Sequence, residues 1–153
     1  MTTSKRTRVK ICGITNLEDA LIATSAGADA IGLVFYHGSP RYVSIEKARQ
    51  IVEQLPPFIS CVGLFVDAEE RLIQDVLEQV ALDTLQFHGQ EPERACSLYN
   101  RPYIKAIRMS EDINIVDEID KYPSASALLL DTYVRIHQVE PVYPLTGVEY
   151  LKE

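Results

Sequence analysis

The sequence predicts an α/β fold built on a parallel sheet. Three observations carry that expectation. Short apolar runs alternate with amphipathic stretches from residue 9 to residue 131. The runs recur at about the spacing that a strand, two loops and a crossover helix require. Several are unbroken in apolarity instead of alternating, as in strands covered on both faces. With 153 residues the chain is about one domain long and can bury a sizeable core.

The elements follow in order. Residues 9–12, Val-Lys-Ile-Cys, read as a strand, and 16–26 as a helix with Thr15 or Asn16 as N-cap and Gly27 beyond its end. Residues 30–35 form a second, fully buried strand. A long loop with His37, Gly38, Pro40 and Arg41 follows. Ser44 caps a helix that runs to Leu55 and stops at Pro56 and Pro57. Residues 61–66 are a third strand and 69–80 a third helix. A fourth strand over 84–87 leads through His88 and Gly89 to a helix over 91–98. Residues 103–107 are a fifth strand, 111–119 a helix capped by Ser110, and 127–131 a sixth strand. After Thr132 the order stops: residues 134–144 scatter Val, Ile and Tyr around Pro141 and Pro144 with no helical period.

Six strand–helix alternations fit an open doubly wound sheet or part of an eight-fold barrel. An open sheet carries a glycine-rich phosphate loop after its first strand, but Cys12-Gly13-Ile14-Thr15 holds neither GxGxxG nor a Walker pattern. Polar residues instead follow many different strands: Cys12, Arg41, Asp67, His88, Arg108 and Asp131. A barrel mouth needs that distribution. A barrel takes about 200 residues or more, so an incomplete barrel of some six βα units is expected.

Composition narrows the function. Fifteen basic against 22 acidic residues give a net charge of −7. That balance argues against nucleic acid, which demands a basic face. No run approaches a membrane span, and the basic opening leads into no apolar signal segment. Cys12, Cys61 and Cys96 form no CxxC pair, so neither zinc nor a redox motif is indicated, and a cytoplasmic protein with reduced thiols is expected.

Four residues are candidates for chemistry. Cys12 ends the first strand, either as a small buried hydrophobe or as a thiolate base or nucleophile at the mouth. Asp131 follows four apolar residues, either as a loop cap with Thr132 or as a general acid whose proton the apolar walls of the mouth help retain. His88 is either an ordinary solvated histidine or a mouth residue. Arg41 is either a surface charge or an anion contact for a carboxylate or phosphate. Asp67, Glu69 and Glu70 read as a favourable first-turn charge cluster. Cys61 and Cys96 read as structural.

These residues also form a pattern. Val9-Lys10-Ile11-Cys12-Gly13-Ile14-Thr15 resembles the opening signature of the phosphoribosylanthranilate isomerase family, a (βα)8 TIM barrel of tryptophan biosynthesis. Gly32-Leu33-Val34-Phe35 with Ser39-Pro40-Arg41-Tyr42-Val43 resembles its second strand and loop. Val62-Gly63-Leu64-Phe65-Val66, Leu85-Gln86-Phe87-His88-Gly89 and Leu129-Leu130-Asp131-Thr132 resemble its third, fourth and sixth strand ends. The resemblance implies an Amadori rearrangement of N-(5′-phosphoribosyl)anthranilate to 1-(2-carboxyphenylamino)-1-deoxyribulose 5-phosphate. It implies Asp131 as general acid, Cys12 as general base, Arg41 on the anthranilate carboxylate and His88 in substrate binding. It implies no metal and no cofactor.

The resemblance covers residues 9–132. The family continues with a Gly-Gly-Thr-Gly loop, then Phe-x-Trp, then two more βα units whose glycine-rich turns grip phosphate. Residues 141–147 instead contain the single glycine Gly147. Spelled ATA CAC CAG GTG GAA CCG GTT, residues 136–142 read Thr-Pro-Gly-Gly-Thr-Gly once two bases are dropped. Suitable synonymous codons for 143–147 then permit two residues and Phe-Asp-Trp. The expectation is therefore one barrel domain over 1–132, with an aberrant, irregular tail over 133–153 that ends early through a frameshift. Its alternative function is that of a non-catalytic barrel fragment that self-associates through exposed sheet edges.

Overall fold

A computed structural model describes residues 6–110 and 112–132, together with the backbone of 148–151. The strands are β1 (Arg8–Cys12), β2 (Ala30–Val34), β3 (Ser60–Phe65), β4 (Thr84–Phe87), β5 (Tyr103–Met109), β6 (Ala127–Thr132) and β7 (Val148–Leu151). The helices are α1 (Leu17–Ser25), α2 (Ile45–Val52), α3 (Glu70–Gln79), α4 (Glu93–Cys96) and α5 (Ile115–Lys121). The sheet order is β6-β5-β4-β3-β2-β1-β7, and β1 to β6 are all parallel.

Local chemistry sets the helix ends. Asn16 Oδ1 accepts the Asp19 N–H at 2.8 Å and starts α1. Gly27, at φ +95°, ends it, with the Ala28 N–H donating to the Ala23 carbonyl at 3.1 Å. Ser44 Oγ accepts the Lys47 N–H at 3.3 Å and starts α2. Three helices are shorter than their patterns: α2 ends at Val52, not Leu55, with Glu53 as its C-cap. Pro92 confines α4 to 93–96, since its ring supplies no N–H and fixes the entry. The cap of α5 is Asn114, not Ser110: its Oδ1 accepts the Val116 N–H at 3.0 Å. Asp67 does not join the first turn of α3. It adopts φ +46°, and its Oδ1 accepts the Gln90 N–H at 2.6 Å.

The sheet is curled into a half-barrel. In a flat sheet β1 and β4 would lie three strand spacings, roughly 14 Å, apart. Yet Lys10 Nζ on β1 donates to Gln86 Oε1 on β4 at 2.5 Å. Curling divides the side chains into two layers. Ile31, Leu33, Cys61, Phe65, Leu85, Phe87 and Tyr103 face the helices and pack with Ala20, Ala48, Ile51, Ile73 and Val76. Cys12, Val34 and Leu64 cluster on the concave side, as do Ile104, Ala106 and Leu129. Burying each large apolar side chain contributes about 1.5–3 kcal/mol, and the outer layer holds most of them.

The expected irregular tail falls largely outside the described residues, which omit 133–147. Residues 148–151 are strand: β7 pairs antiparallel with β1, Val9 opposite Tyr150. The expected open edge at β1 is therefore closed, its backbone groups taken up by β7. On the other side β6 pairs with β5 alone among the described residues.

Candidate active site

Parallel strands carry their C-terminal ends to one rim of the half-barrel, and the four candidate residues gather there. Cys12 is the last residue of β1 and faces the concave side, 9% exposed. The opposing residue on β2 is Gly32. A Cβ at Gly32 would come within 2.7 Å of Cys12 Sγ, so the missing side chain is what admits the sulfur. The N–H groups of Gly13 and Ile14 both donate to the Gly32 carbonyl, at 2.9 and 3.0 Å, which fixes the turn leaving Cys12.

Arg41 reaches the same turn from the β2–α2 loop. Its Nη1 donates to the Cys12 carbonyl at 3.3 Å. Gly13, at φ +85°, lies beneath the arginine: a Cβ there would sit 2.3 Å from Arg41 Cδ. Only glycine meets both demands at once. The loop is pinned by a Tyr42–Val34 bridge, a Val43 N–H bond to the Val34 carbonyl at 3.0 Å, and the His37–Tyr42 ring stack at 4.0 Å.

His88 and Asp131 form the second pair. His88 Nε2 lies 2.9 Å from Asp131 Oδ2, joining the end of β4 to β6 across β5. Ala106 and Leu129 lie below Asp131 on the concave side. The apolar enclosure expected around Asp131 is not supplied by the described residues. Its side chain is 41% exposed, against 16% for His88, and it sits at the outer strand of the curl.

Two site residues escaped the sequence reading. Lys10 and Gln86 are fully buried polar side chains on the concave face. Lys10 shares that face with Cys12, and Gln86 shares it with His88, because alternate strand residues point the same way. Gln86 Nε2 lies 3.4 Å from His88 Nδ1, so a chain of polar contacts links Lys10, Gln86, His88 and Asp131. The signal was present: a lysine within Val-Lys-Ile-Cys and a glutamine within Leu-Gln-Phe stand in strands otherwise built for burial.

A third polar group, on the helix-facing side, holds the His88 loop. Lys105 Nζ donates to the carbonyls of Phe87 at 3.3 Å and Gly89 at 2.8 Å, and to Glu91 Oε2 at 3.1 Å. Glu91 in turn accepts the N–H groups of Asp67 at 2.8 Å and Gly89 at 2.9 Å. Cys61 and Cys96 are buried on this side as structural thiols. Burial, with Asp83 nearby, pushes the Cys61 thiol up to about 11. Burial, with Glu91 nearby, pushes Cys96 up to about 12. Neither is a nucleophile at neutral pH. Among the described residues no group of three or more metal-ligating side chains converges, and no helix is long and apolar enough to cross a membrane.

A curled parallel sheet with helices outside, and with a thiol, a guanidinium, an imidazole and a carboxyl at its carboxyl rim, defines a βα-barrel protein with its chemistry at the barrel mouth. The model of the N-(5′-phosphoribosyl)anthranilate (PRA) isomerase family matches residues 9–139. The chain belongs to that family. N-(5′-phosphoribosyl)anthranilate isomerase of Nitrosococcus oceani is 57% identical over 128 residues, covering 84% of this chain and 62% of the relative. The Pseudomonas fluorescens isomerase is 56% identical over 127 residues, covering 83% and 62%. The crystal structure of the Thermotoga maritima isomerase superposes with a TM-score of 0.77 at 43% identity, covering 86% of this chain and 64% of that one. A second solved isomerase, at 44% identity and TM-score 0.76, holds reduced 1-(o-carboxyphenylamino)-1-deoxyribulose 5-phosphate, with 84% and 66% covered. The chain thus spans about three fifths of the length of the curated relatives it matches.

Proposed function

We propose that this chain carries the acid–base half of a phosphoribosylanthranilate isomerase active site. The observation that carries the reading is the gathering of Cys12, Arg41, His88 and Asp131 at one rim of a half-barrel of this family. The bound ligand of the solved relative supports a phosphosugar joined to anthranilate as the substrate class. Asp131 protonates the furanose ring oxygen. The ring C–O bond breaks, its electron pair stays on that oxygen, and the anthranilate nitrogen lone pair forms a Schiff base. Cys12 then removes the C2′ proton, giving an enolamine that ketonises. Arg41, beside the Cys12 turn, holds the anthranilate carboxylate, and His88 steadies the acid. One acid and one base on separate strands suffice for this chemistry, with no metal or cofactor invoked. Residues 1–132 act as one domain, in a cytoplasm that keeps the three thiols reduced.

A second reading has its own observations. β6 presents an edge unpaired among the described residues, and residues 136–142 permit a codon spelling that reads the family's Gly-Gly-Thr-Gly motif in a shifted frame. On that reading the chain as written is a self-associating fragment, and activity resides in the frame-restored sequence.

Loss of anthranilate fluorescence in a coupled assay tests both, with complementation of a tryptophan auxotroph lacking the isomerase as the cellular counterpart. Turnover by the chain as written supports the first reading. Turnover by the frame-restored sequence alone supports the second. A folded, frame-restored protein with no turnover overturns the isomerase reading altogether.

A further inference from the structure

We propose that Lys10 and Gln86 are positioning residues that fix the tautomer of His88, so that its Nε2–H donates to Asp131. Donor and acceptor roles are fixed in turn along the hydrogen-bonded chain. An ammonium has three donors and no acceptor. Lys10 Nζ lies 2.5 Å from one end of the Gln86 amide, which must therefore be its oxygen. Turning the amide over would set an NH2 against an ammonium in a site where Lys10 is 1% and Gln86 0% exposed. A buried donor facing a donor carries the full desolvation cost of both groups.

With the oxygen held by Lys10, the amide NH2 is the end that faces His88 Nδ1, at 3.4 Å. That nitrogen then presents its lone pair, and the proton of the neutral ring sits on Nε2. Nε2 lies 2.9 Å from Asp131 Oδ2, and a carboxyl oxygen accepts. The polarity of each contact dictates the next, from β1 through β4 to β6.

The consequence for catalysis rests on the isomerase reading above; the tautomer does not. A His88 N–H on Oδ2 leaves Oδ1 to carry the proton that Asp131 delivers. When that proton passes to the substrate ring oxygen, the N–H is already placed to stabilise the carboxylate left behind. Lys10 and Gln86 enter this proposal as positioning residues. They act by denying His88 the other tautomer and the other ring orientation, as outer partners do for ligand histidines.

The test is the imidazole 15N spectrum of the full chain, labelled at histidine, with His88 assigned by loss of its signals in His88→Asn. In the native chain Nδ1 has the shift of an unprotonated ring nitrogen and Nε2 that of a protonated one, without averaging. Gln86→Glu replaces the donor at Nδ1 by an acceptor, and the Nδ1 resonance moves to the protonated position. Lys10→Met frees the amide to turn, and the two nitrogens shift toward averaged values. A native His88 carrying its proton on Nδ1, or on both nitrogens, overturns the proposal whether or not any variant folds. So does a folded Gln86→Glu chain whose Nδ1 stays unprotonated. The spectrum needs no turnover, so a chain inactive in the fluorescence assay leaves this result to stand or fall by itself.

Discussion

Single side chains at the rim carry distinct, separable expectations. Cys12→Ser and Asp131→Asn keep nearly the same volume, so they test proton transfer more than packing. Each is expected to lower kcat by about 10²–10⁴-fold, measured in whichever of the chain or its frame-restored sequence turns over substrate. Near-native kcat in either removes that residue from the mechanism. Arg41 answers differently, because it binds instead of moving protons. Arg41→Ala is expected chiefly to raise KM, and Arg41→Lys to restore binding incompletely, since lysine lacks the planar fork. Gly13→Ala should mimic the loss, because its methyl would take the space of Arg41 Cδ. Unchanged KM in both returns Arg41 to a surface charge. At this scale the sequence was legible where a polar residue ended an apolar run, as Cys12, His88 and Asp131 do. At Lys10 and Gln86 it showed a polar residue in each buried strand but not their pairing, since the two lie 76 residues apart and meet only because the sheet curls.

At the scale of elements, the strands were easier to read than the helices. Apolar runs, unbroken in β2, β3 and β6 up to Asp131 and interrupted by Lys10, Gln86 and Lys105 in β1, β4 and β5, located the six parallel strands to within a few residues, because burial on both faces leaves little room for polar side chains. The helices α4 and α5 came out short, since Pro92 and Asn114 set their starts whatever periodicity precedes them. What joins the elements around His88 was hidden for a different reason. Lys105 and Glu91 look like ordinary surface charges in sequence, yet their side chains are 3% and 7% exposed. Together they tie the β4–α4 loop to β5 and to Asp67. Glu91→Ala leaves the Lys105 ammonium buried without its counter-charge and is expected to destabilise the fold by about 3–5 kcal/mol. Chemical denaturation of this variant beside the native chain measures it. Restoring an apolar pair, Lys105→Met with Glu91→Leu, should recover part of the loss by removing the stranded charge. A Glu91→Ala chain as stable as the native one would mean that water reaches Lys105 and that the pair holds nothing in place.

For the whole molecule the two ends of the sheet differ in kind. β1 is covered by β7, with Arg8 to Ile11 in register against Leu151 to Val148. β6 has no such cover among the described residues, and Leu130 on it is 58% exposed. A parallel edge strand with free backbone donors and acceptors pairs readily with another chain unless charge, proline or a bulge blocks it. Between Ala127 and Leu130 there is none of these, since the residues are Ala-Leu-Leu-Leu. The chain as written is therefore expected to associate in a concentration-dependent manner, read as a rise in weight-average mass by sedimentation equilibrium. Two substitutions separate edge pairing from nonspecific stickiness. Leu130→Lys places a charge on the exposed side of the edge strand, and Leu128→Pro removes a backbone donor from it. Both should shift the chain toward monomer. Leu21→Lys and Ile22→Lys, on the apolar outer face of α1, remove exposed apolar area of a similar kind without touching the edge. If the α1 substitutions dissociate the assembly and the β6 substitutions do not, association runs through the helix face and the open edge is inert. If the native chain stays monomeric at every concentration reached, the β6 edge does not recruit a second chain and the expectation of self-association fails.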